Sequence, residues 1–326
     1  MKRFNKFLIT VLAVAFTLGL TGPTTALATG PLTVDLGTAG NFAILAGTPN
    51  ITNVPTSVIT GNIGLSPATG AGIGLTQAQV TGTIYAVDGA GPSGTVNDPA
   101  LLTIAKNDLT AAYTDAAGRT PATIVPTELG GQHLYPGVYT TDSTALSLTA
   151  GAGPLVLDAQ DDASAVFIFE GSDAEAGALT VGTGGTVSLI NGASACNVFW
   201  RVYGAIIGTS AVFKGNILAL TSITVAGGVG TESNIDGRLL ARNGNVTLDH
   251  TTVSIPDCTA SDTAVAARVA AAAATTTQAA ALVATKLPNT GVAPSQNSAS
   301  TNIAILAGVF ALSTLFVIIR RKKRAI

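Results

Sequence analysis

Asp158, Asp161 and Asp162, in LDAQDDAS, form the densest acidic cluster of the chain, and carboxylates so closely spaced could hold a calcium ion. The same spacing also makes a turn whose carboxylates cap backbone N–H groups, which is the preferred reading. His133 and His250 stand alone in sequence, with no metal-ligand spacing around them, and read as surface or loop residues. Gly182, Gly184 and Gly185, in VGTGGT, are turn glycines, because no strand-to-helix context makes a phosphate loop of them. No Ser-His-Asp or Cys-His set suggests itself, although such triads are assembled in space and not in order. Trp200, in NVFWRV, is core or rim, and a single tryptophan is poor material for a sugar platform. No enzyme, cofactor or metal is expected on these grounds.

The ends of the chain carry addresses. Lys2, Arg3 and Lys6 precede the apolar run Phe7 to Leu20 and the small-residue site Ala26-Leu27-Ala28, so 1–28 reads as a secretory signal peptide. At the other end come Leu287-Pro288-Asn289-Thr290-Gly291, the apolar run 303–319 and a basic tail, 320–326. That run is near the short limit of roughly 17–25 residues for a spanning helix, and its basic flank should stay cytoplasmic. LPNTG resembles the LPxTG sorting signal of Gram-positive surface proteins. The resemblance implies cleavage between Thr290 and Gly291 by a sortase, with Thr290 joined to peptidoglycan. The expected product is secreted and anchored in the cell wall.

Processing changes the charge. Of 16 Lys and Arg, three lie in the signal and five in the tail, leaving eight against 18 Asp and Glu, a net −10. An acidic exported chain argues against nucleic acid and anionic membrane as partners. Cys196 and Cys258 are the only cysteines, and in an exported chain they read as a disulfide.

The elements that position these residues fall between 30 and 260, a span suited to one domain. Residues 261–286 are rich in Ala and Thr and read as a spacer. Asn97-Asp98-Pro99 predicts a helix start, Leu101, Ala105, Leu109, Ala112 and Ala116 recur at helical spacing, and Gly118 and Pro121 end it. One helix is therefore predicted over about Pro99–Ala117.

The rest reads as short strands with a repeat. FKGNILAL at Phe213 aligns with IDGRLLAR at Ile235, an offset of 22, and Ile223-Thr-Val aligns with Val246-Thr-Leu. A period near 22 suits one coil of a β-solenoid, and a meander of similar strands is the alternative. Five segments can be stacked, beginning at Ala145, Ala178, Ala205, Ser222 and Asn245. Strand alternation turns their second and fourth residues inward, Ile206 and Gly208 among them. The outward set then holds Ser147, Thr149, Thr180, Thr209, Ser222, Thr224, Asn245 and Thr247, interrupted by Ile207 and ended by Asp249. This face is small, short-branched and nearly free of charge, where a solvated sheet usually carries Lys, Glu and Arg.

Several stretches in order resemble the ice-binding protein family of cold-adapted bacteria, diatoms and fungi. They include LGTAGNFAILAG (36–47), SVITGNIGLSPATG (57–70), LYPGVYT (134–140), LVLDAQDDASAVFIFE (155–170), LINGASACNVFWRV (189–202) and GRLLARNGNVTLD (237–249). The likeness covers residues 34–258. It implies a right-handed, discontinuous β-solenoid of triangular section with one long helix alongside. It also implies a flat face that adsorbs to an ice crystal surface; a monomer is expected. The residues that touch ice vary within the family, so the face is carried over and not a residue list. The competing functions are a wall-anchored adhesin for a polymer or another cell, and a polysaccharide-cleaving enzyme on a β-helix.

Overall fold

The computed structural model describes residues 30–259 apart from Pro55, with scattered positions as far as 270. The signal peptide, most of the 261–286 spacer, the LPNTG motif, the apolar run and the basic tail lie outside the described residues.

The helix spans Pro99–Ala117, as its punctuation predicts. Asp98 caps it by accepting a hydrogen bond from the Leu101 N–H at 2.9 Å, and Pro99 fills a position that needs no donor. Its buried stripe is Leu102, Ala105, Leu109, Ala112, Tyr113 and Ala116. Leu101, expected in that stripe, is only half-buried at its margin.

Every strand pairing described is parallel, and the strands form sheets of 13, six and three members. The two predicted repeat pairs are ladder partners, Phe213 with Ile235 and Ile223 with Val246. Successive strands therefore belong to a coil and not to a meander. The offset near 22 does not hold throughout. Elsewhere the coils are longer or shorter, as Phe167 pairs with Val198 and Trp200 with Ile217.

The stacking order departs from chain order. In the 13-stranded sheet the early strands Asn62–Leu65 and Phe42–Ala46 lie next to the late strands Ser233–Ala241 and Val212–Ala219. Val198–Val202, Phe167–Glu170, Gly137–Thr141 and Thr123–Val125 follow in that order. The chain thus builds the coils of one end first, crosses to the far end, and winds back onto its own beginning. The helix makes the crossing. At about 1.5 Å per residue its 19 residues span roughly 28 Å, close to six strand spacings of about 4.8 Å.

The helix covers one face of this sheet, packing on Phe42, Leu45, Val138, Ile168, Phe199, Leu218 and Leu240. Alternate residues of the same strands point to the solenoid interior, which is why FAILA and VFWRV are buried throughout. Trp200 is fully buried there, stacked on Phe169 at 4.1 Å between ring centroids, with Tyr139 and Phe213 continuing the row. Its Nε1–H is satisfied by the Lys214 carbonyl at 3.0 Å. The long strands Val212–Ala219 and Ser233–Ala241 turn a corner at Gly215 and Gly237, which pair in register. A Cβ on Gly237 would lie 1.8 Å from the Gly215 oxygen, so no other residue fits this corner.

Cys196 and Cys258 form the expected disulfide, with Cα atoms 5.6 Å apart. LDAQDDAS is the expected capped turn. Asp158 accepts from the Gln160 N–H and the Asn191 amide at 2.9 Å each, and Asp162 accepts from the Ser164 N–H at 2.9 Å. His133 meets Asp158 at 3.0 Å across the neighbouring coil.

Candidate functional site

The six-stranded sheet is the candidate site. Its strands run in the order Leu146–Leu148, Leu179–Val181, Ala205–Ile207, Ile223–Val225, Val246–Asp249 and Ile51–Val54. Large aliphatics fill all but two of the inward positions: Leu146, Leu148, Leu179, Val181, Ile207, Ile223, Val225, Val246, Leu248 and Ile51 are all buried, and Ala205 and Asn53 take the others. Burying each is worth about 1.5–3 kcal/mol, so hydrophobic burial alone fixes which side faces out.

The outward central column is set by register. Ser147 pairs with Thr180, Thr180 with Ile206, Ile206 with Thr224, Thr224 with Thr247, and Thr247 with Thr52. Ser147, Thr180, Thr224 and Thr247 stand where the alternation put them. Ser222 and Asn245 lie in the flanking column with Ala178 and Gly204, as the carbonyls that accept the successive strand N–H groups show. Thr149 is exposed at the end of its strand.

One strand corrects the sequence reading. Ala205 pairs with Leu179, so Ala205 and Ile207 point inward and Ile206 points out. Ile206 is 58% exposed and Ile207 is 0% exposed, the reverse of the expectation. A one-residue shift inverts every side chain, and two adjacent isoleucines offer no contrast of polarity to fix the register. Thr209 consequently leaves the column. It sits in the turn beyond, where its hydroxyl donates to that of Thr183 at 3.3 Å, and Gly208 occupies the place assigned to it.

Two residues were missed. Thr52, from the beginning of the chain, adds a rung beside Thr247. Its hydroxyl donates to the Thr247 oxygen at 2.9 Å, and the Asn245 amide donates to the same oxygen at 2.9 Å. With both lone pairs of that oxygen engaged, the Thr247 proton is left to point outward. The alternation of Ile51-Thr52 was the available signal. Glu128 bridges to Ser147 at the opposite edge and accepts from the Gly130 N–H at 2.7 Å, the Thr149 N–H at 3.0 Å and the Ser147 hydroxyl at 3.2 Å. Partial burial pushes its carboxyl up, but these donors outweigh burial and hold it below the usual range.

Charge is confined to the margins. Glu128 lies at one edge, and Asp249 pairs with Val54 near the other, where His250 Nδ1 approaches its carboxylate at 2.5 Å. Between them the face offers hydroxyls, one amide, methyl groups and bare backbone. Between these edges the outward side chains include no paired acid and base and no nucleophile next to a base.

Comparison with known proteins accords with this surface. The chain is 40% identical over 227 residues to an ice-binding protein of Flavobacterium frigoris, covering 68% of this chain and 76% of that protein. It is 41% identical over 235 residues to an ice-binding protein of Colwellia, covering 71% and 87%. Among solved structures it is similar to a domain of Shewanella frigidimarina ice-binding protein 1, with a TM-score of 0.61 at 32% identity, covering 70% of this chain and 100% of that one. It is also similar to an ice-binding protein from an Arctic yeast, with a TM-score of 0.59 at 33% identity, covering 68% and 94%. Residues 44–254 match the Ice-binding-like family model, and the chain belongs to that family.

Proposed function

We propose that this chain adsorbs to ice through the six-stranded face, with Ser147, Thr180, Thr224, Thr247 and Thr52 at the centre of contact and Ser222 and Asn245 beside them. The observation that carries the reading is the in-register column of hydroxyls on a sheet whose interior carries no charge. Parallel strands repeat at about 4.7–4.9 Å, comparable with oxygen repeats in ice. Hydroxyls and methyls held at that repeat order the adjoining water into an ice-like layer that merges with a crystal plane. Ionised groups would hold liquid-like hydration instead, and here they stand only at the margins. Adsorbed molecules make the ice front curve between them, which opposes growth and recrystallisation. The three all-parallel sheets, the usual right hand of parallel crossovers and the likeness to ice-binding proteins support a right-handed solenoid of triangular section.

Fluorescently labelled 30–260 domain added to a growing single crystal should shape the crystal and enter the ice. A crystal that grows unshaped and dark would refute ice adsorption.

We further infer that the chain is exported by its 1–28 signal and joined to peptidoglycan through Thr290, with 261–286 as the spacer. Support comes from the sequence order of motif, apolar run and basic tail. Wall attachment makes tethering a cell to ice, or keeping ice from recrystallising at the cell surface, the fitting role. Thr290→Ala should move the chain from the muramidase-released wall fraction to the membrane fraction. Unchanged recovery in the wall fraction would exclude this anchor.

A further inference from the structure

Ile206 is the only member of the central column, between Ser147 and Thr52, that lacks a hydroxyl. More than half of its surface is open to solvent, so it is not there to fill a core. Its own rung gives it no company. The outward positions on either side are Gly204 and Gly208, both without a side chain and both tightly approached by their neighbours. A Cβ on Gly208 would lie 2.8 Å from the Thr183 nitrogen, and one on Gly204 would lie 2.9 Å from the Thr221 hydroxyl. The rung is therefore one apolar stud on bare backbone, set between the hydroxyl rungs of Thr180 and Thr224. Threonine ends at its γ atoms. The δ-methyl of isoleucine reaches one further carbon–carbon bond, about 1.5 Å.

Resting on the adsorption reading above, we infer that Ile206 determines which crystal plane the face accepts. Hydroxyls engage water only within about 3 Å, so an overhang of this size between two threonine rungs lifts both out of reach of a smooth plane. A plane with an open hollow between its water oxygens at the position of the stud admits the δ-methyl. The rungs on both sides then close to hydrogen-bonding distance. Selection works by exclusion: the stud adds little attraction to the right plane and removes contacts from the wrong ones. The bare glycine positions beside it leave the stud free of competing side chains along its rung.

The test uses the intact protein, fluorescently labelled, on a single ice hemisphere whose lit planes are mapped. The wild-type chain should light a restricted set of planes. Ile206→Thr, which completes the hydroxyl column, and Ile206→Ala, which removes the overhang, should each lose that restriction and light additional or different planes. Both should unfold at the wild-type temperature, because the replaced atoms are largely exposed. Ile206→Val retains the branch but not the δ-methyl, and should follow alanine more closely than wild type. Variants that light the wild-type planes and no others would overturn the assignment of Ile206 while leaving the face intact. A wild-type chain that leaves the ice unlit would overturn the face and the inference together.

Discussion

Thr224→Tyr and Thr247→Tyr are each expected to abolish crystal shaping and incorporation into ice, while the folded domain persists. The two threonines are successive rungs of one column, and their neighbours Ile223, Val225, Val246 and Leu248 are the buried side of the same strands. A phenol ring stands several ångströms above a threonine methyl, and one such ring holds the whole flat face away from a plane. Stability should respond differently at the two sites. The Thr224 side chain accepts no hydrogen bond that its neighbours depend on, so its replacement falls within about 0.5 kcal/mol, as for ordinary surface changes. Thr247 accepts hydrogen bonds from Thr52 and Asn245, and losing that acceptor costs about 1 kcal/mol more. Thermal hysteresis and calorimetric unfolding of each variant separate the two effects. Activity that survives both substitutions would place adsorption on another face.

Removing the disulfide gives the largest effect on stability. Cys196 and Cys258 are separated by 62 residues, and closing a loop of that length stabilises by about 4 kcal/mol in the chain-entropy model. For a domain of this size the unfolding midpoint of Cys196→Ala/Cys258→Ala should fall by roughly 8–16 °C. Part of the segment stays held without the bond. The Asn216 amide donates to the Ala195 and Cys196 carbonyls at 3.2 Å each, and Arg238 donates to the Gly40 carbonyl at 2.8 Å beside them. Neither cysteine lies on the six-stranded face, so ice shaping near 0 °C should be retained. A midpoint within experimental error of the wild type would overturn this expectation.

The helix was legible because a cap, a proline and a terminal glycine bracket a single apolar period, and each signal is local. Four rungs of the candidate face were legible for a similar reason. Ser147, Thr180, Thr224 and Thr247 each sit between two large aliphatics, so polarity alone gives their direction. The strand holding Ile206 and Ile207 supplies no such contrast, and its true register is fixed by Leu179 and Ile223 on the neighbouring coils. Thr52 was hidden by distance, since the threonine it meets is 195 residues away. Glu128 pairs with the sheet through a single bridge, too short a contact to announce itself in an alternating pattern.

The stacking order also dictates when the molecule can be complete. Phe42–Ala46 is the first of the described strands, yet its partner on one side is Ser233–Ala241, almost the last of them. A chain delivered from its N-terminus must leave that early edge unpaired until nearly the whole domain has emerged. Closing such a distant contact is slow, because the entropy of the intervening loop is lost before the pairing repays it. The early coils therefore keep one open edge during synthesis until Ser233–Ala241 arrives. The rung formed by Thr52 and Thr247 is then among the last to assemble. Whatever the face does, it begins only once the two ends of the domain have met.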